Sequence, residues 1–168
     1  AEVAPLRRRL LAEFLGTALL VAVVIASGIG AQRLSPDDTG LQLLQNSITT
    51  VFGLGVLILM LGPVSGAHFN PVVSGVDWLL GRRAGTGLPG RDVAAYCGAQ
   101  ILGGIGGAIL ANLMFALPAV RISDTARSTP NLWLAEVVAT AGLILTIWAL
   151  ARTGRAAPRL VVPVLRSA

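Results

Sequence analysis

The sequence predicts an all-α membrane protein, a helical bundle built as an inverted repeat. Three observations lead there. Hydrophobic residues make up 54% of the 168 and charged residues only 12%, with a mean hydropathy of +0.76, which leaves too little polar surface for a water-facing domain. Uncharged runs cover residues 14–32, 39–76 and 93–120, each longer than the roughly 18 residues that mark a span. Two spans that enter from opposite sides open on similar strings.

The first span is expected over residues 11–32. Arg7, Arg8 and Arg9 precede it like the start of a signal peptide, but the run is long enough to cross and further spans follow, so it reads as an uncleaved helix. A polar turn, Ser35-Pro36-Asp37-Asp38, separates it from the second span, 41–62. The third runs over 93–117 to Pro118, and the fourth over 132–151. A partial fifth starts near Pro158.

Between the second and third spans lies "LGPVSGAHFNPVVSGVDWLLGRR", residues 61–83. It is apolar, yet it is broken at Gly62-Pro63 and again at Asn70-Pro71. Residues 71–80 give a helix of about 15 Å, half of a hydrocarbon core of roughly 30 Å. Either residues 63–81 cross the membrane or they dip in and return. The arginines decide, because cytoplasmic loops collect them. A returning segment puts nine arginines inside (7, 8, 9, 82, 83, 91, 152, 155, 159) and three outside (33, 121, 127). A crossing segment puts five inside and seven outside. The returning reading is the one adopted, with the N-terminus cytoplasmic.

Non-helical backbone at membrane depth is tolerated only where it is buried in protein or lines a water-filled cavity. Residues 63–69 are expected to be such backbone, with Gly66 and Ala67 allowing it to bend and pack closely. Asn70 stands where an N-cap belongs, and Pro71 at the first helical position. The short helix thus turns its positive end and an amide toward mid-membrane. Carbonyl acceptors, an amide donor and a field that opposes cations suit a pore for a small polar solute.

The string "AEFLGTALLV" from Ala12 returns as "AEVVATAGLI" from Ala135, at an offset of 135 − 12 = 123. Three spans separate the copies, so they have opposite topology. Residues 11–117 make a complete first repeat and 132–168 the start of a second. The partner of Asn70 would fall at 70 + 123 = 193, which is 25 residues past Ala168, so the symmetry predicts a chain cut short.

With "SGAHFNPV", the repeated Ala-Glu and "AQILGG" at 99–104, the chain resembles the aquaporin (major intrinsic protein) family. The resemblance implies an aquaporin-like fold and a channel for water or small neutral solutes such as glycerol. It implies assembly as a homotetramer with one pore per subunit, and no cofactor, metal or catalysis. Asn70 resembles the asparagine that donates to the permeant, and Pro71 opens the half-helix. The carbonyls of Gly66, Ala67 and His68 resemble the acceptor ladder. Glu13, Gln100 and Glu136 resemble the buried residues that brace loop and helices. Val72 departs from the usual Asn-Pro-Ala and adds bulk at the narrow centre. An ungapped count puts Thr50 at the filter position, aromatic in water-selective members, which implies a wider pore open to glycerol or metalloid hydroxides. The second motif and its filter arginine are missing. The alternative is therefore a truncated, non-conducting membrane protein that packs with other channel subunits.

Plainer readings stay beside these. Asn70-Pro71 can simply cap a buried helix. Glu13 can be an interfacial residue of a first turn. Gln100 can be a generic bond between helices, and Thr50 can bond its own helix backbone. Ala99, Gly103, Gly107 and Ala111 read as a close packing face. Trp78, Trp133 and Trp148 read as anchors at the interface. His68 has neither the partners of a metal site nor those of a catalytic triad. "GTGLPG" at 85–90 matches G-x-G-x-x-G but lacks the strand and helix that give that pattern meaning. The arginines lie in short clusters between spans, unlike a nucleic-acid surface, so no nucleic-acid partner is expected. A multi-pass protein of the cell (inner) membrane, in a lipid bilayer, is expected.

Overall fold

The structure, a computed structural model, describes residues 4–83, 85–123 and 125–152. Among these residues five helices form: α1 (Leu6–Leu34), α2 (Thr39–Ser65), α3 (Pro71–Gly81), α4 (Gly90–Met114) and α5 (Pro130–Arg152). Four of them, all but α3, are long and apolar enough to cross a membrane. The chain divides into two compact units, Ala1–Val120 and Arg121–Ala168. The first holds α1–α4, and the second holds α5. The partial span expected from residue 158 lies outside the described residues.

Helix limits differ from the expected spans for local reasons. α1 begins at Leu6, ahead of residue 11, because arginines extend a helix beyond its apolar stretch. Asp38 caps α2, its Oδ1 accepting from Leu41 N at 2.8 Å. α2 also runs on through Pro63 to Ser65, so the irregular backbone is 66–69 and not 63–69. Proline in a last turn deletes one bond, and the next amides still close the helix, with Gly66 N donating to Gly62 O at 2.9 Å. α4 stops at Met114, short of residue 117. Ala116 turns left-handed (φ 56°), Leu117 N donates to Asn112 O and Ala116 N to Leu113 O, a Schellman closure.

In the first unit α1 packs on both α4 and α2, and α3 packs on α4. α1 and α4 run parallel. Arg9 meets Asp92, Glu13 meets Gln100, and Arg33 meets the Phe115 carbonyl. α2 runs antiparallel to α1, since Gln45 meets Ser35, Asn46 meets Val24 and Ser65 meets Glu13. The chain from 66 to 89 therefore starts and ends at the same end of the long helices.

The core is built from small residues and polar bonds, as befits helices whose outer faces are apolar. Ala12, Ala22, Ala31 and Ala111 are buried, while Phe52, Val56 and Ile101 are exposed. Gly103 and Gly107 let α4 lie directly on α1, because a side chain at either would run into the carbonyl of Phe14 or Ala18. Gly107→Val should therefore lower stability by about 3 kcal/mol or more, at or beyond the usual overpacking range. Gly98→Val, where a Cβ meets nothing within 4 Å, should be nearly neutral. Thermal unfolding of both variants in detergent checks the pair.

Candidate functional site

The segment Ser65–Asn70 is folded around one carboxylate. Glu13 is fully buried in α1. Its Oε1 accepts from Ser65 Oγ at 2.6 Å and His68 N at 3.1 Å, and its Oε2 accepts from Phe69 N and Gln100 Nε2, both at 2.8 Å. Ser65 Oγ in turn accepts from Ala67 N at 3.1 Å. The amides of Ala67, His68 and Phe69 are thus all satisfied from one side. No described donor of the chain reaches the carbonyls of Gly66, Ala67 or His68.

That arrangement forces unusual backbone. Gly66 (φ 93°), Ala67 (φ 51°) and Phe69 (φ 49°) are all left-handed. Each non-glycine residue so placed costs about 1–3 kcal/mol, which the Glu13 bonds must offset. Packing helps, since the Phe69 ring occupies the space that a side chain at Gly16 would fill. Tyr96, fully buried on α4, donates its hydroxyl to Ser65 O at 2.9 Å.

Asn70 is extended (φ −154°, ψ 125°), as a residue before proline prefers to be. Its Oδ1 accepts from Val72 N at 2.8 Å, which caps α3 and leaves Nδ2 as an uncommitted donor. Pro71 is the first residue of α3, and Val72 beside it is exposed. Ser74, one turn on, accepts from Gln100 Nε2 at 2.9 Å and meets His68 Nδ1 at 3.0 Å.

Glu13, Gly66, Ala67, His68, Asn70 and Gln100 are thus brought together. Thr50 is not part of this cluster, and Glu136 belongs to the other unit. Thr50 Oγ1 is buried with no partner among the described residues, so the bond to its own helix backbone that the plain reading gives it is absent. Its neighbour Thr49 makes that bond instead, to Gln45 O at 2.8 Å. Glu136 is exposed on α5, and no described residue donates to it. Its unit offers it no second described helix to brace against. Sequence reasoning missed Ser65, Phe69, Ser74 and Tyr96. It also missed the ion pair of Arg9 with Asp92, 2.7 Å apart. A signal was present: Asp92, Tyr96 and Gln100 recur every fourth residue on the same stripe of α4 as Gly103, Gly107 and Ala111.

The family model described as "Major intrinsic protein" matches residues 2–165. The chain belongs to that family. Among curated relatives it is 52% identical over 144 residues to "Aquaglyceroporin AqpS" of Rhizobium meliloti (strain 1021), covering 86% of this chain and 59% of that one. It is 31% identical over 172 residues to "Aquaporin AqpM" of Methanothermobacter marburgensis, covering 90% and 68%. It is 32% identical over 175 residues to "Glycerol uptake facilitator protein" of Pseudomonas aeruginosa, covering 89% and 59%. The chain therefore spans about three-fifths of the length of AqpS. No solved structure matches. As a major intrinsic protein with four apolar helices, it is a multi-pass membrane protein.

Replacing Glu13 by glutamine swaps one acceptor oxygen for a donor that faces N–H groups. Glu13→Gln should cost at least about 2 kcal/mol, the scale of hydrogen bonds to a charged group. Hydrogen exchange at the His68 and Phe69 amides should rise with it. Unchanged exchange there would show that the carboxylate does not hold the segment.

Proposed function

We propose that this chain forms wall and constriction of a passive membrane channel for water and small uncharged solutes of the glycerol class. One observation carries the reading. Three adjacent carbonyls, those of Gly66, Ala67 and His68, lead to the Nδ2 donor of Asn70, and none of these groups has a partner among the described residues. A solute that sheds water needs both kinds of partner, in a row. The α3 N-terminus adds a positive field that opposes cations. Passage is passive and single-file, with no catalytic residue, cofactor or metal. The names of the relatives, aquaglyceroporin and glycerol uptake facilitator, agree with this solute class. Metalloid hydroxides share the chemistry of several hydroxyls and no charge.

Thr50 is proposed as the filter position, and Val72 as bulk beside Asn70. Pro71 sets the start of α3, and Glu136 is the second repeat's counterpart of Glu13. The segment 63–81 is proposed to be re-entrant. The arginine distribution supports a cytoplasmic N-terminus in the cell (inner) membrane. Family resemblance supports a homotetramer of complete subunits.

Osmotic shrinkage of liposomes carrying the chain tests the proposal. Water and glycerol should pass faster than in empty liposomes, and Asn70→Asp should remove the difference, because it deletes the donor and adds a charge while keeping a helix cap. Rates equal to those of empty liposomes would sink the conducting reading for this chain and leave one that only packs with other subunits. In a conducting assembly, Thr50→Phe should cut glycerol flux about tenfold, a barrier increase of ~1.4 kcal/mol, while water flux falls less.

A further inference from the structure

Beside the carbonyl row is an open cavity of about 310 Å³ that the preceding mechanism does not use. Arg9, Pro63, Val64, Gly66, His68 and Asp77 line it, so it adjoins the first residue of the row. Two of its polar groups are uncommitted. Asp77 Oδ2 accepts from Leu88 N at 2.6 Å, while Oδ1 has no partner among the described residues. The Asp77 side chain is 39% exposed. His68 presents Nε2, 3.8 Å from Asp77 Oδ2.

The proton on His68 follows from its other nitrogen. Ser74 Oγ accepts from Gln100 Nε2, and the one described acceptor for its own proton is His68 Nδ1. Neutral His68 therefore carries its proton on Nε2, as a donor toward the cavity. Arg9 contributes no free charge, being paired with Asp92 at 2.7 Å. The Asp77 carboxylate turns its open oxygen to the cavity, which disfavours anions. Pro63 and Val64 supply apolar wall.

We propose that this cavity is a second solute station, selective for uncharged molecules with two or more hydroxyls. One hydroxyl donates to Asp77 Oδ1 while another accepts from His68 Nε2–H, and the carbon face rests on Pro63 and Val64. The station rests on the channel reading for its purpose, since it would hand such a solute to the Gly66 carbonyl, but its binding can be read without flux. A plainer role for Asp77, bracing Leu88, accounts for Oδ2 and leaves Oδ1 unexplained.

The test is a titration of the isotope-labelled 168-residue chain in detergent, following the His68 ring and the Gly66, Gly87 and Leu88 amides by NMR. The probes are glycerol, boric acid and 1-propanol. Saturable shifts with glycerol or boric acid, and none with 1-propanol, support the station and say which hydroxylated class it takes. Asp77→Asn keeps an acceptor for Leu88 N but loses the one for the solute. It should raise the half-saturating concentration about fivefold, the scale of one hydrogen bond. Shifts linear in concentration for both hydroxylated probes, or saturation unchanged in Asp77→Asn, would overturn the station. Binding without liposome flux would instead count against the channel reading alone.

Discussion

Three consecutive amides, those of Ala67, His68 and Phe69, lie deep between helices. Glu13 is seven residues into α1, about 10 Å along its axis at 1.5 Å per residue. At that depth each unsatisfied amide costs several kcal/mol. The Glu13 carboxylate answers two of them directly and the third through Ser65. It also ties Gln100, and so α4, to the same point. The charge itself is tolerable because four donors converge on it.

The direction of the carbonyls follows from that anchoring. A peptide unit whose N–H is held on one side turns its C=O to the other. With Gly66, Ala67 and Phe69 left-handed, the chain keeps that orientation over several residues, where an ordinary turn would alternate. Local strain and the outward turn of the carbonyls are two sides of one arrangement. Asn70 completes it by spending its oxygen on the α3 cap, which aims its nitrogen outward. His68 repeats the device: Ser74 occupies Nδ1, and Nε2 is left to face the cavity.

Much of this was legible in the sequence. Uncharged runs located the long helices, and Asn70-Pro71 located the start of α3, because capping and proline chemistry are local. Glu13 stood out because it recurs with its alanine at Glu136. What could not be read was whatever depends on the meeting of distant segments. Ser65 and Ser74 look like ordinary small residues until Glu13 and Gln100 are brought to them. The Arg9–Asp92 pair looks like two loop charges until α1 and α4 are known to be parallel. Pro63 misled in the other direction: read as a breaker, it sits in a last turn that tolerates it.

Glu136 sharpens the same physics. It is the seventh residue of α5 as Glu13 is the eighth of α1, and it follows an alanine in both copies. In α1 the carboxylate is affordable because Ser65, two backbone amides and Gln100 surround it. In α5 no described residue donates to it. Ionisable groups inside spans are costly unless they are paired or hydrogen-bonded. At Glu13 the reason is plain: a lone side-chain partner would satisfy one lone pair and leave the rest of the charge in hydrocarbon.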